Sequence, residues 1–218
     1  MRVLFISNYF NHHQKPLSDA LFQLTAQQYA FAATVPLSQE RNQMGWTDTT
    51  EEYTRDVDSI SLPTQINQAD VIITGSAPEE YVKIAIRKKK LIFRYSERPL
   101  KNGVDLRKYL PRFVRWHWRN PPGKPIYLLS ASAFAAADYK KFGLFRERAY
   151  KWGYFPETRR YAHINSLIAG KDRSSILWVG RFLDWKHPDA ALQAVRTLHN
   201  EGLSFHLNLI GTGEMEEF

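Results

Sequence analysis

Ser175-Ile-Leu-Trp-Val-Gly180-Arg181-Phe-Leu-Asp-Trp-Lys186-His-Pro188 is the stretch on which the reading of the fold turns. An apolar run over 176–179 ends in a glycine, two cations follow five positions apart, and Pro188 with Asp189 opens an Ala/Leu-rich helical pattern that continues to Glu201. An unbroken apolar run suits a strand covered on both faces, as in a parallel sheet. Arg181 and Lys186 then fall in the loop at the strand's carboxyl end, the edge at which open α/β sheets bind ligands. A guanidinium grips phosphate oxygens with two parallel hydrogen bonds and an ammonium adds a point charge. A second strand over 205–210 runs into Gly211-Thr-Gly213, closing a βαβ unit on a glycine turn.

Strand, Gly-Arg, lysine five positions on, helix and Gly-x-Gly in this order resemble the retaining GT-B glycosyltransferases of glycosyltransferase family 4. The resemblance implies that Arg181 and Lys186 bind the diphosphate of a nucleoside diphosphate sugar and act catalytically as it departs, in a donor site that includes Gly180, Gly211 and Gly213. It implies no cofactor and no metal, since the two cations take the metal's part. One departure is His187, where that family carries glycine, which bears on the backbone turn after Lys186.

Outward from this unit, strand-like runs at 3–6, 29–35, 70–74, 91–95, 126–130 and 149–153 alternate with helical patterns at 17–28, 78–89, 105–119 and 134–142. That alternation predicts an α/β, doubly wound, Rossmann-like parallel sheet, with a second Rossmann-like domain of which only the start is present. The expected organisation is an acceptor-binding domain over 1–157, a linker over 158–173 and the start of a nucleotide-sugar-binding domain over 174–218. Trp152-Gly-Tyr-Phe-Pro-Glu157 closes the first domain because glycine and proline break the strand pattern. Residues 36–69 are polar and poorly periodic, including Thr49-Thr-Glu-Glu and Arg55-Asp-Val-Asp58, and read as a loop excursion with at most short helices. Two strands and one helix after residue 174 bury too little for a stable domain. The expectation is therefore a fragment, inactive by itself, with the base, ribose and paired-glutamate contacts of the resembling family lying outside it.

The balance of 30 Lys and Arg against 22 Asp and Glu leaves a net charge of +8, which attracts polyanions without choosing among nucleic acid, nucleotide phosphates and anionic membrane. The chain has no cysteine, which excludes a disulfide scaffold and thiol catalysis. No apolar run approaches the ~20 residues of a membrane span, so the expected location is cytoplasmic, or peripheral on the inner face of the cell membrane.

The first βα turn, Asn8-Tyr-Phe-Asn-His12-His13-Gln-Lys-Pro16, lacks dinucleotide-binding glycines. It is similar to the opening loop of bacterial glycosyltransferases, and that likeness assigns Asn8, His12 and His13 to the acceptor; a polar loop with one histidine capping the next helix is the plainer alternative. Adjacent histidines point apart and have no third ligand at suitable spacing, against a metal site. Arg94-Tyr-Ser96-Glu97-Arg98 sets a carboxylate between two guanidiniums, which would keep it ionised at pH 7. The resemblance turns Ser96 and Glu97 toward the acceptor; a structural ion pair is the alternative. Over 105–119, Arg107, Arg112, Arg115 and Arg119 interleave with an apolar stripe, Trp116 and Trp118 stand near the end, and Pro111 is expected to split the helix. These cations and tryptophans suit docking on anionic lipid, helped by Arg87-Lys-Lys-Lys90; an ordinary packed helix is the alternative. The implied activity is hexose transfer from a nucleoside diphosphate sugar to a lipid-linked or glycan acceptor in cell-envelope polysaccharide synthesis. The rival reading is a basic module that binds nucleic acid or membrane without catalysis, though no nucleic-acid motif is present.

Overall fold

The computed structural model describes residues 1–43, 46, 50–56, 60–101 and 103–216. They form two compact units, Met1–Thr158 and Arg159–Phe218.

In the first unit, β1 (Val3–Ser7) is buried along its whole length and pairs in parallel with β2 (Tyr29–Ala33) on one side and β4 (Val71–Thr74) on the other. Its alternate residues feed two cores, as a pleated strand must. Leu4 and Ile6 join Ile72 and Ile92 against Leu62, Ile66, Tyr81 and Ala85, which lie on α3 (Ser61–Gln68) and α4 (Glu79–Arg87). Val3 and Phe5 join Phe31 and Ile73 against Phe22 of α1 (Lys15–Leu24) and against Tyr53. The sheet is completed by β3 (Thr54–Asp56), β5 (Leu91–Ser96), β6 (Ile126–Ser130) and β7 (Ala149–Lys151), all parallel in the order β3-β2-β1-β4-β5-β6-β7. This is a doubly wound, Rossmann-like α/β sheet, whose winding reverses between β1 and β4. A third core packs Leu128 with Tyr139 and Phe142, from α6 (Ala135–Lys141) and the turn after it, under α5 (Leu106–Arg119).

Two expectations are corrected. The excursion over 36–69 is not a loop with short helices alone: it holds α2 (Gln39–Gln43), the edge strand β3 and the eight-residue α3. Thr-Arg-Asp carries no apolar alternation, and backbone pairing to β2 together with Tyr53, 2% exposed among the rings of Phe10, Phe22 and Tyr29, seats β3. The excursion's Thr49, Val57 and Asp58 lie outside the described residues. Pro111, in turn, does not split α5. Asp105 caps the helix by accepting from Arg107 N–H at 3.0 Å, Tyr109 stacks on Phe142 at 5.1 Å before the proline, and Trp116 meets Tyr139 edge-on at 5.0 Å after it. Packing on both sides outweighs the one hydrogen bond that proline forfeits.

The second unit pairs β8 (Ser175–Val179) in parallel with β9 (His206–Ile210) across α8 (Pro188–Asn200), and the stretch expected as linker contains a short helix, α7 (Ile164–Ala169). Among the described residues every member of the three hydrophobic cores belongs to the first unit, while Leu177, Val179 and Ile210 on one face of β8 and β9 stay exposed. No helix among the described residues is long and apolar enough to cross a membrane.

Candidate functional site

The winding reverses between β1 and β4, and a cleft of about 790 Å³ opens at their carboxyl ends within the first unit. The two strand ends approach closely because Gly75 follows β4: a Cβ at that position would lie 2.6 Å from Ser7 Oγ. Ser7 Oγ in turn accepts from the Ser76 N–H at 3.2 Å and donates to Asn8 Oδ1 at 3.1 Å. The cleft brings together Asn8, His13, Ser96 and Glu97 of the sequence-derived acceptor set. His12 does not line it; its ring lies 4.0 Å from that of His13 and 5.3 Å from that of Trp46. Burial, and after it the neighbouring His12, holds His13 below the usual imidazole value, so it is neutral at pH 7.

Glu97 is held differently from the expectation. Arg94 gives its guanidinium to Glu79, at 2.9 and 3.1 Å, and Arg98 gives its own to the buried Asp138 at 2.9 Å. Glu97 instead accepts from Lys101, four residues on, and from the Tyr154 hydroxyl. Sequence neighbours at a strand end project to different sides, so adjacency did not make the pairs. The Lys101 hydrogen bond first, and the Tyr154 one next, hold Glu97 below the ordinary carboxyl value, so it is an ionised acceptor and not a general acid at pH 7. Tyr95, pushed up to about 12 by burial and then by Glu97, donates to the Gly153 carbonyl at 3.2 Å and ties the segment after β7 to β5.

Residues unnoticed in the sequence complete the wall. Trp46 and Arg41 come from the excursion, with the guanidinium 4.6 Å from the indole centroid, and Tyr9, Tyr154 and Pro156 add further apolar surface. Nothing local marks Trp46 as a site residue; it reaches the cleft only because its backbone N–H bonds to Arg41 O at 3.1 Å and its ring meets Tyr9 at 6.0 Å.

In the second unit both cations lie near one aromatic ring. Arg181 lies 5.8 Å and Lys186 4.5 Å from the centroid of the Trp185 ring, which the sequence reading passed over. The three glycines shape this loop. Gly180 N–H donates to Ile210 O at 3.0 Å, while a Cβ on Gly211 would fall 1.7 Å from Gly180 O and one on Gly213 2.4 Å from Phe182 O. Only glycine lets these two loops run so close. His187 takes the left-handed conformation, φ 51°, which a glycine adopts without strain and a histidine tolerates.

The six residues assigned to membrane docking separate by helix face. Arg107, Arg115 and Trp118 are exposed and Arg112 half-buried, whereas Trp116 packs on Tyr139 and Arg119 pairs with Glu79 at 3.5 Å. Trp116 and Arg119 are therefore corrected to parts of the fold: Trp116 stands about 200° from Trp118 around the helix, and Arg119 is held by the Glu79 carboxylate. Among the described residues, no group of three or more His, Asp or Glu side chains assembles in a way that could hold a metal ion. No family model matches this sequence, and no curated protein or solved structure does either.

Proposed function

We propose that the chain belongs to a hexosyl-transferring enzyme, in which the first unit binds a glycan or lipid-linked acceptor and the second grips the diphosphate of a nucleoside diphosphate sugar. The observation that carries this reading is the composition of the cleft: an ionised carboxylate, amide and hydroxyl groups, and the rings of Trp46, Tyr9 and Tyr154 within one volume. Sugars offer both a ring of hydroxyls and apolar C–H faces, which hydrogen bonding and stacking satisfy together. In the transfer, the bond from the anomeric carbon to the diphosphate breaks with its electron pair leaving on the diphosphate, and the acceptor hydroxyl oxygen bonds to that carbon as its proton passes to the departing diphosphate oxygen. Glu97 orients the hydroxyl by accepting its hydrogen bond. Arg181 and Lys186 meet negative charge that grows as the bond breaks, so their stabilisation is larger in the transition state than before it.

Titrating the protein with neutral hexoses and oligosaccharides, observed at the Trp46 indole N–H by NMR, is expected to give a saturable shift. Glu97→Gln weakens it roughly tenfold, the loss of one hydrogen bond to a charged group. A carboxyl whose value is depressed in the fold stays ionised above its ordinary value of 4.5 and is protonated only as pH falls through the lower folded value. Binding should thus be level from pH 5 to 8 and decline below 4.5. No shift with any sugar, or a decline centred near pH 6, overturns the assignment.

The outer face of α5 supports a membrane-associated acceptor. Leu110, Val114 and Trp118, 68%, 60% and 60% exposed, follow Arg107 at helical spacing with Arg115 beside them. Each cation near an anionic surface contributes about 1 kcal/mol, and a tryptophan sits at headgroup depth. The protein should sediment with phosphatidylglycerol-containing vesicles in low salt, and an Arg107→Ser/Arg115→Ser/Trp118→Ser variant should lose most of that binding. Equal binding to neutral vesicles removes this part of the reading, and tighter binding to single-stranded oligonucleotide favours the nucleic-acid rival.

A further inference from the structure

Beside the cleft, and sharing Gly75, Ser76, Tyr95 and Ser96 with it, lies a smaller chamber of about 320 Å³. Its wall carries more positive charge than it neutralises: Arg94 and Arg119 stand against the single carboxylate of Glu79. Arg94 is 8% exposed, and its two terminal nitrogens are used, Nη1 and Nη2 on Glu79 and Nη2 also on Arg119 O at 2.7 Å. Among the described residues its Nε–H, closed off from solvent, has no hydrogen-bond partner, and Arg119 Nε, likewise closed off, makes an ion pair with Glu79 at 3.5 Å but no hydrogen bond. A buried guanidinium donor left unpaired is costly, and an oxyanion is the acceptor that removes the cost. Thr74, Ser76 and Ser96 add hydroxyls to the wall, and α4 begins at the chamber with no side-chain cap hydrogen bond, its first turn carrying Glu79 and Glu80 at the end that favours negative charge.

We propose that this chamber binds a phosphate group carried by the molecule whose sugar occupies the adjoining cleft, so that the acceptor is a phosphorylated or phosphate-linked glycan. The inference rests on the acceptor reading of the cleft for the identity of the carrier, but the phosphate site stands on the chamber alone. The Arg94–Glu79 pair leaves the buried Nε without an acceptor among the described residues, the excess charge of the three side chains is one positive unit, and a phosphate brings the complementary charge with several acceptor oxygens. A neutral sugar would leave both the charge and the donor unanswered.

The test uses the 218-residue protein with ¹⁵N-labelled arginine, the Arg94 and Arg119 Nε–H signals being assigned by their loss in Arg94→Lys and Arg119→Gln. Inorganic phosphate at constant ionic strength should shift both signals saturably, acetate should do so at least tenfold more weakly, and Arg119→Gln should weaken phosphate binding at least fivefold at the Arg94 signal. Should Arg94→Lys not fold, Ser76→Ala, at an exposed residue, serves as the second variant and should weaken binding two- to threefold. No saturable shift, or identical affinity in Arg119→Gln and wild type, overturns the proposal and leaves the arginines as structural ties. A hexose phosphate should then bind more tightly than either inorganic phosphate or the free hexose, shifting Trp46 and Arg94 together. Phosphate binding without any sugar response at Trp46 keeps the chamber and removes the acceptor reading; a sugar response without phosphate binding does the reverse.

Discussion

Replacing Arg181 and Lys186 together by alanine is expected to weaken inorganic pyrophosphate binding, read at the Trp185 indole N–H, by about 100-fold, with each single substitution costing about tenfold. Hydrogen bonds to a charged group contribute about 1.5 kcal/mol each, and two such losses amount to about a factor of 100. The geometry supports their acting as a pair, since both cations lie within cation–π distance of the same indole. Trp185→Leu should cost less than either cation, because it removes the platform and not the charge. Unchanged affinity in the double variant would mean that the loop after β8 does not hold a diphosphate, and the donor half of the proposed function would fall with it.

Arg94→Ala is expected to destabilise the first unit by about 3 kcal/mol in urea unfolding. Removing one partner of a buried ion pair costs about 3–5 kcal/mol because the other charge is left uncompensated. Glu79 keeps 20% of its side-chain exposure and retains Arg119 at 3.5 Å, which places the expected loss at the low end of that range. Arg94→Met combined with Glu79→Gln should recover roughly half of the loss, since the Glu79 carboxylate is no longer left uncompensated and Arg119, 31% exposed, keeps its contact with water. A single-variant loss below about 1 kcal/mol would identify the Arg94–Glu79–Arg119 network as no stronger than a surface ion pair.

The same network separates what local sequence carries from what it does not. Apolar runs such as Val3–Ser7 and Ile126–Ser130 declare themselves as strands because a parallel strand covered on both faces must be apolar throughout, whatever its neighbours are. The glycine at 211 is legible for a similar reason: a turn that brings two backbones together admits no side chain, so the residue type itself records the contact. The spacing of Arg181 and Lys186 belongs to this class as well, both cations lying in one short loop after one strand. By contrast, β3 is a strand only because β2 offers it an edge, and Pro111 sits in an unbroken helix only because Tyr109 and Trp116 are anchored on Phe142 and Tyr139.

Side-chain partners were decided in the same non-local way. Arg94, Glu97 and Arg98 are neighbours in sequence, yet their partners are Glu79, Lys101 with Tyr154, and Asp138, chosen by which elements the sheet packs beside each one. Trp46 enters the cleft from a segment without periodicity, and Trp116 leaves the proposed lipid-facing set through a rotation about the helix axis that sequence spacing alone did not assign to a face. The sequence by itself determined the layered α/β architecture and the cations of the glycine-flanked loop, because burial on two faces and close backbone approach constrain residue type position by position. The tertiary structure alone decided the ion-pair partners, the aromatic wall of the cleft and the charged chamber beside it. Those depend on distances between residues far apart in the chain, and nothing in residue type encodes them.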